Sequence, residues 1–308
     1  MRNGFAWIVV PAAVLGLWVS TALAPPAATR PALRAVNANP APASRPAESY
    51  PPKALAEACQ KAADELRAKL DKTFSIRVSP PFIVAGNMDM PDLKAYTEGS
   101  VVGPAGVMWK CYFQKRPDKP ITVLLFADAK RYSAWAKTLF HDENVPHFGY
   151  YKRESRTMVM NIATGSGTLV HELTHSLIVY DFPDVPDWFN EGLASLHEGC
   201  SVEKDRIVGA VNWRLPDLKK AIEAGKLRSL ADLLTADDFY GEQRGLNYAQ
   251  ARYFCMYMQK EGVLEKYYAR LRDHHDGKRP SVDAVEKVFD KKLDVVEKAY
   301  LAWVKTLR

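Results

Sequence analysis

Residues 168–180 read Thr-Leu-Val-His-Glu-Leu-Thr-His-Ser-Leu-Ile-Val-Tyr. Leu169, Val170, Leu173, Leu177, Ile178 and Val179 make this a strongly apolar helix, which a globular fold must bury. The same helix carries His171, Glu172 and His175. Leaving a polar group out of water without a partner costs roughly 2–7 kcal/mol, and a charge costs more. Any fold open to this chain must therefore assemble further polar groups around residues 171–175.

The spacing suggests what those groups share. Positions four apart lie on one helix face, so His171 and His175 can reach one metal ion at about 2.0–2.1 Å each. Glu172 lies next round the helix. There it can take a proton from a metal-activated water and later return it to a leaving amine. H-E-x-x-H on a helix is the pattern for this chemistry. Two imidazoles and a carboxylate suit zinc, which we expect as the cofactor. A catalytic zinc needs a third protein ligand and an open position. Trp188-Phe189-Asn190-Glu191-Gly192-Leu193-Ala194 offers Glu191 on a second helix, after a turn containing Pro183 and Pro186.

His-Glu-Leu-Thr-His followed by Asn-Glu-Gly-Leu-Ala resembles the gluzincin peptidases, thermolysin among them. The 15 residues between His175 and Glu191 are fewer than in thermolysin. Together with the Trp-Phe-x-Glu-Gly-x-Ala pattern, they make the chain most similar to bacterial peptidase-MA-like domains. Asn247-Tyr248-Ala249-Gln250-Ala251-Arg252 opening a helix, Gly262 ending it and a last helix with Trp303 are similar to the C-terminal layout of those domains. The resemblance spans about Pro81 to Leu307. It implies a zincin-like fold, His171, His175 and Glu191 as metal ligands, Glu172 as general base, and peptides or proteins as substrates. In one respect the chain departs from it. In thermolysin-like enzymes an Asp one turn beyond the ligand Glu orients a zinc-bound histidine, and here that position is Ser195. Glu198 and Asp187 are the candidates for that support.

The resemblance also implies a tyrosine that donates to the oxyanion. Tyr248 is the candidate, with Tyr240, His274 and Arg252 as competitors and a plain core tyrosine as the alternative. Zincins commonly present an edge strand just before the H-E-x-x-H helix, to which a peptide adds as a further strand. Thr157–Asn161 is the segment expected there. Phe148-Gly149-Tyr150-Tyr151 reads equally as a cleft wall or as packing. His197, six residues beyond Glu191, points off the ligand face and reads as a surface or structural histidine.

Elsewhere the chain is less specific. Residues 5–24 form an apolar run behind Arg2, long enough to span a bilayer. With Ala22-Leu23-Ala24 they read equally as a cleaved secretory signal or an uncleaved membrane anchor. Residues 25–52 are an Ala/Pro-rich linker, and 53–308 the folded domain. Helix periodicity covers Ala54–Phe74, and Leu93–Tyr112 in part. Ile121–Phe126 and Arg156–Ile162 read as strands, Ala129–Phe140 as a helix, and almost everything after 166 as helical. The fold class is α+β: a small mixed sheet with helices over 53–165, then a mostly helical half over 166–308. The formal charge of +6 is spread along the chain, so no nucleic-acid partner is expected. Four cysteines without a C-x-x-C pair argue against a cysteine zinc site. They read as two disulfides, Cys59–Cys111 and Cys200–Cys255, or as buried free thiols.

The sequence therefore predicts an extracytoplasmic zinc metallopeptidase with N-terminal membrane contact. The alternative is a metal-stabilised binding or assembly module of the cell envelope that has lost turnover. It sits poorly with Glu172, a carboxylate that a purely structural zinc would not use.

Overall fold

The computed structural model describes residues 50–203, 205–274 and 280–308. The expected signal or anchor, and the linker up to residue 49, lie outside the described residues. The end of the linker belongs to the fold: Tyr50 donates to the Pro117 carbonyl at 3.0 Å, and the Arg116 guanidinium lies over its ring.

Helix α1 (Lys53–Arg67) buries Leu55, Cys59 and Ala63, four residues apart on one face. It ends at Arg67, before the expected Phe74, and a turn follows in which Asp71 accepts from the Thr73 amide at 2.8 Å. Phe74 is then free to pack edge-on against Phe126 and Trp135. Strands β1 (Ser75–Ser79) and β2 (Phe82–Gly86) form a hairpin turned by Pro80-Pro81. Helices α2 (Met90–Tyr96) and α3 (Gly103–Cys111) are joined by a wider π turn at Thr97–Val102, so the helix expected only in part from 93 to 112 is continuous. Strand β3 (Ile121–Phe126) leads into α4 (Ala129–Phe140), whose first turn is capped by Asp128 on the Arg131 amide. Strands β4 (Gly149–Lys152) and β5 (Thr157–Asn161) complete a five-stranded mixed sheet in the order β1-β2-β3-β5-β4.

That order corrects one expectation. Thr157–Asn161 is an interior strand, parallel to β3 and antiparallel to β4, and every residue of it is buried. The open edge belongs to β4, the aromatic segment that had read as cleft wall or packing. Gly149 is required there. Its φ of +146° disfavours other residues, and a Cβ would lie 2.5 Å from the Met160 Cε.

The second half begins with α5 (Gly167–Asp181) and α6 (Asp187–Glu198). A two-stranded hairpin follows, β6 (Cys200–Glu203) and β7 (Arg206–Gly209), which sequence patterning did not indicate. Its strands have four residues each, and Lys204-Asp205 between them carries no Asn-Gly or Asp-Gly signal. Helices α7 (Leu215–Glu223), α8 (Leu230–Leu234), α9 (Arg244–Lys260), α10 (Leu264–Asp273), α11 (Pro280–Phe289) and α12 (Leu293–Thr306) close the fold.

Strand alternation divides the apolar material into two cores. Val84, Val123, Leu125, Met158 and Met160 face α5 and the C-terminal helices. Ile83, Ala85, Leu124, Phe126 and Val159 face α1 and α4. The first core runs unbroken from Phe82 to Val304, so both parts of the α+β fold are packed as one body. No helix among the described residues is long and apolar enough to cross a membrane. All four cysteines are free thiols, Cys59 and Cys255 buried, Cys111 and Cys200 partly so. The disulfide reading is replaced by the free-thiol one. Cys111 instead lies 3.3 Å from the Asp205 carbonyl, and Cys255 packs against the backbone of α6 at Gly192.

Candidate metal centre

Helix α5 is buried over nearly its whole length, as its apolar residues require. It presents His171 and His175 side by side, with their Nε2 atoms 3.1 Å apart. Helix α6 folds back across it after the Pro183–Pro186 bend. Its Glu191 carboxylate, completely buried, points at the two imidazoles: Oε2 lies 3.3 Å from His171 Nε2 and 3.4 Å from His175 Nε2. Two sequence-expected ligands on one helix and a third on the next thus form a nearly equilateral triangle. Ligands held about 2.0–2.1 Å from a tetrahedral ion lie roughly 3.3–3.4 Å apart, so the triangle has the size such an ion needs. Among the described residues this is the one group of three or more His, Cys, Asp or Glu side chains that could hold a metal ion.

The electrostatics point the same way. Glu191 Oε2 is buried with no hydrogen-bond donor. Burial alone would lift the Glu191 carboxyl, but the flanking imidazoles hold it well below the usual carboxylate range. Burial alone would likewise lower His175, but the Glu191 carboxylate raises it to about 9. Without an ion, a proton on His175 thus balances the buried Glu191 carboxylate, and an ion held by the triangle would take that proton's place.

The residues around the triangle orient it. Asn190 places its Oδ1 2.9 Å from His175 Nδ1. An amide oxygen only accepts, so His175 keeps a proton on Nδ1 and turns Nε2 towards the centre of the triangle. Glu198 and Asp187 do not fill this role. Glu198 forms an ion pair with Arg214 at 2.6 Å, and Asp187 makes no contact with either imidazole among the described interactions. Ser195 is buried with its Oγ unpartnered. Sequence reading missed Asn190. Its signal was adjacency, since a polar amide directly before the third ligand shares that ligand's approach to α5.

Glu172, the residue after His171, is only partly buried. Partial burial raises its carboxyl above the usual range, against the pull of His171 and His175. Tyr248, on the first turns of α9, is 5% exposed, and its hydroxyl is buried without a hydrogen-bond partner. Burial and the nearby Glu191 carboxylate both push this phenol up, so it stays protonated and able to donate. Tyr240, a competitor for the same role, instead donates to Glu191 Oε1 at 3.0 Å. The other two competitors are engaged elsewhere. Arg252 is fully buried and donates to the Gly199 and Ala210 carbonyls, and His274 ends α10 against the Arg270 carbonyl. His197, expected at the surface or in a structural place, is completely buried, with Nδ1 3.0 Å from Thr174 Oγ1.

No protein-family model matches this chain, and no curated protein matches it in sequence.

Proposed function

We propose that this chain is a zinc-dependent peptidase of the gluzincin type on a zincin-like fold. The observation that carries the reading is the buried His171–His175–Glu191 triangle with Glu172 one residue beyond its first corner. Two imidazoles and one carboxylate fit zinc in both donor type and spacing. A zinc ion held there would supply Lewis-acid chemistry, acidifying a water and polarising a carbonyl.

The chain's own residues do the rest. Glu172 sits where it can accept a proton from the attacking water and pass it to the departing amine. Its raised pKa strengthens it as the base that takes up the proton. Tyr248 holds an unpaired hydroxyl beside Glu191, ready to donate to the oxyanion of a tetrahedral intermediate. Strand β4 supports the binding of an extended peptide. Asn161 donates to the Phe148 carbonyl at 3.0 Å, so the pairs that bond β5 to β4 fall at Phe148, Tyr150 and Lys152. The N–H and C=O groups of Gly149 and Tyr151 therefore point to the open edge, where a substrate backbone can pair with them. The N-terminal apolar run supports an extracytoplasmic location, secreted or anchored.

Metal analysis of the purified protein and peptide-library cleavage test this reading together. About one zinc per chain is expected, with hydrolysis that falls roughly 10²–10⁴-fold in Glu172→Gln while the metal is retained. Protein that carries no zinc and takes up none rejects the reading. Hydrolysis unchanged in the variant removes Glu172 as the base.

A further inference from the structure

We infer that Tyr240 is a positioning residue for the metal centre, holding Glu191 so that one carboxylate oxygen alone faces the ion. This rests on the metallopeptidase reading above and adds a residue that the H-E-x-x-H pattern does not contain.

The two oxygens of Glu191 differ in their surroundings. Oε2 faces both imidazoles and receives no hydrogen bond, whereas Oε1 accepts from the Tyr240 hydroxyl at 3.0 Å. A carboxylate with both oxygens free can pivot and chelate an ion through two atoms. Occupying Oε1 with a donor fixes the plane and leaves Oε2 as the single ligand atom. That keeps the coordination number low and a position open.

The segment that carries Tyr240 is built to hold it. The ring is 38% exposed, so it is not placed there by burial. Its neighbour Phe239 is 1% exposed and anchors the loop before α9. Asn247 Nδ2 donates to the Phe239 carbonyl at 2.8 Å. Arg228 grips Asp238 through two parallel bonds of 2.6 and 2.7 Å, and Gln250 holds the Arg228 carbonyl at 2.8 Å. The Phe239 ring lies against both Tyr240 and Tyr248, at 5.3 and 5.4 Å between centroids. The two tyrosines thus reach the site from adjoining segments, Tyr240 from the loop before α9 and Tyr248 from the helix itself, with different tasks. Tyr240 is committed to the ligand, and the Tyr248 hydroxyl stays unpaired.

The test compares wild type, Tyr240→Phe and Arg228→Ala by zinc competition with a chromophoric chelator and by the visible spectrum of the cobalt(II) proteins. Circular dichroism checks that each variant is folded. Tyr240→Phe should weaken zinc binding about 10–100-fold and lower the cobalt band intensity as the second carboxylate oxygen enters. Arg228→Ala, which frees the turn without touching the site, should shift both in the same direction by less. Wild-type affinity and spectrum in Tyr240→Phe overturn the inference while leaving the metallopeptidase reading intact. Wild-type protein that binds neither zinc nor cobalt overturns both.

Discussion

At the scale of single residues, the site divides groups that hold charge from groups that orient. His171, His175 and Glu191 make a buried triangle, and Asn190 and Tyr240 fix the orientation of two of its members. His197 shows a neighbouring histidine in a different state. Thr174 Oγ1 donates to the Val170 carbonyl at 2.8 Å, so it can only accept from His197, which must carry its proton on Nδ1. Its Nε2 is then a buried lone pair without a partner. Burial, with Arg252 of α9 and His171 of α5 nearby, lowers it from 6.5 to about 3, and Tyr112 of α3 packs on its ring. The unfolded chain therefore binds a proton near pH 6.5 that the folded chain refuses until about 3. Between those values the unfolded state holds more protons, so stability falls as pH drops. Urea unfolding of chelator-treated protein should show wild type losing roughly 2 kcal/mol more than His197→Gln between pH 7 and pH 5. Equal losses would show that His197 titrates normally. The three residues of the triangle were legible in the sequence because four-residue spacing and a Glu on the following helix are local patterns. Asn190 and Tyr240 were not read as orienting groups, because what each does depends on which atom of another element it meets.

At the scale of elements, α6 is the pivot. It lies between α5, which carries the two histidines of the triangle, and α9, which carries Tyr248. Gly192, directly after Glu191, permits the approach: a Cβ there would stand 2.9 Å from the Ala251 carbonyl oxygen and 3.0 Å from Cys255 Sγ. Both are α9 atoms, and one is backbone that cannot swing aside. Gly192→Ala should therefore destabilise the fold by about 1–3 kcal/mol through overpacking, despite the better helix propensity of alanine. It should also loosen metal binding by displacing Glu191. Thermal unfolding and zinc titration check this, and a variant at least as stable as wild type would mean that α6 and α9 have room to part. The helices carrying the site were readable from periodicity, with ends shifted by a few residues. Strand β4 was not, because four residues beginning with a glycine give too short a period, and its edge position depends on the strand order β3-β5-β4.

At the scale of the whole molecule, one core joins the sheet to the helical half, and polar ties cross it. Asp181, at the end of α5 and 3% exposed, accepts from the Gln114 and Lys115 amides beyond α3, from Tyr268 Oη at 2.8 Å and from Arg272 at 3.0 Å. The helix that carries the two histidines is therefore fixed at its far end by both parts of the chain. An ion at the triangle would tie α5 to α6 only in the folded state. Zinc at 100 times its dissociation constant should add about 2.7 kcal/mol to stability, and a chelator should remove it. A melting temperature indifferent to zinc and chelator would argue against a preformed site.

By itself the sequence determined the local part: an apolar helix with His171, Glu172 and His175 on adjoining faces, a Pro-rich bend, and Glu191 on the helix after it. Helical periodicity and the cost of burying unpaired polar groups act within a few residues, so they can be read along the chain. Tertiary structure alone decided the triangle's 3.1–3.4 Å edges, the open edge on β4, the four free thiols, and the division of work between Tyr240 and Tyr248. Those depend on how closely α6 packs between α5 and α9 and on which strand ends the sheet. Both are set by side chains far apart in sequence, and no local pattern records them.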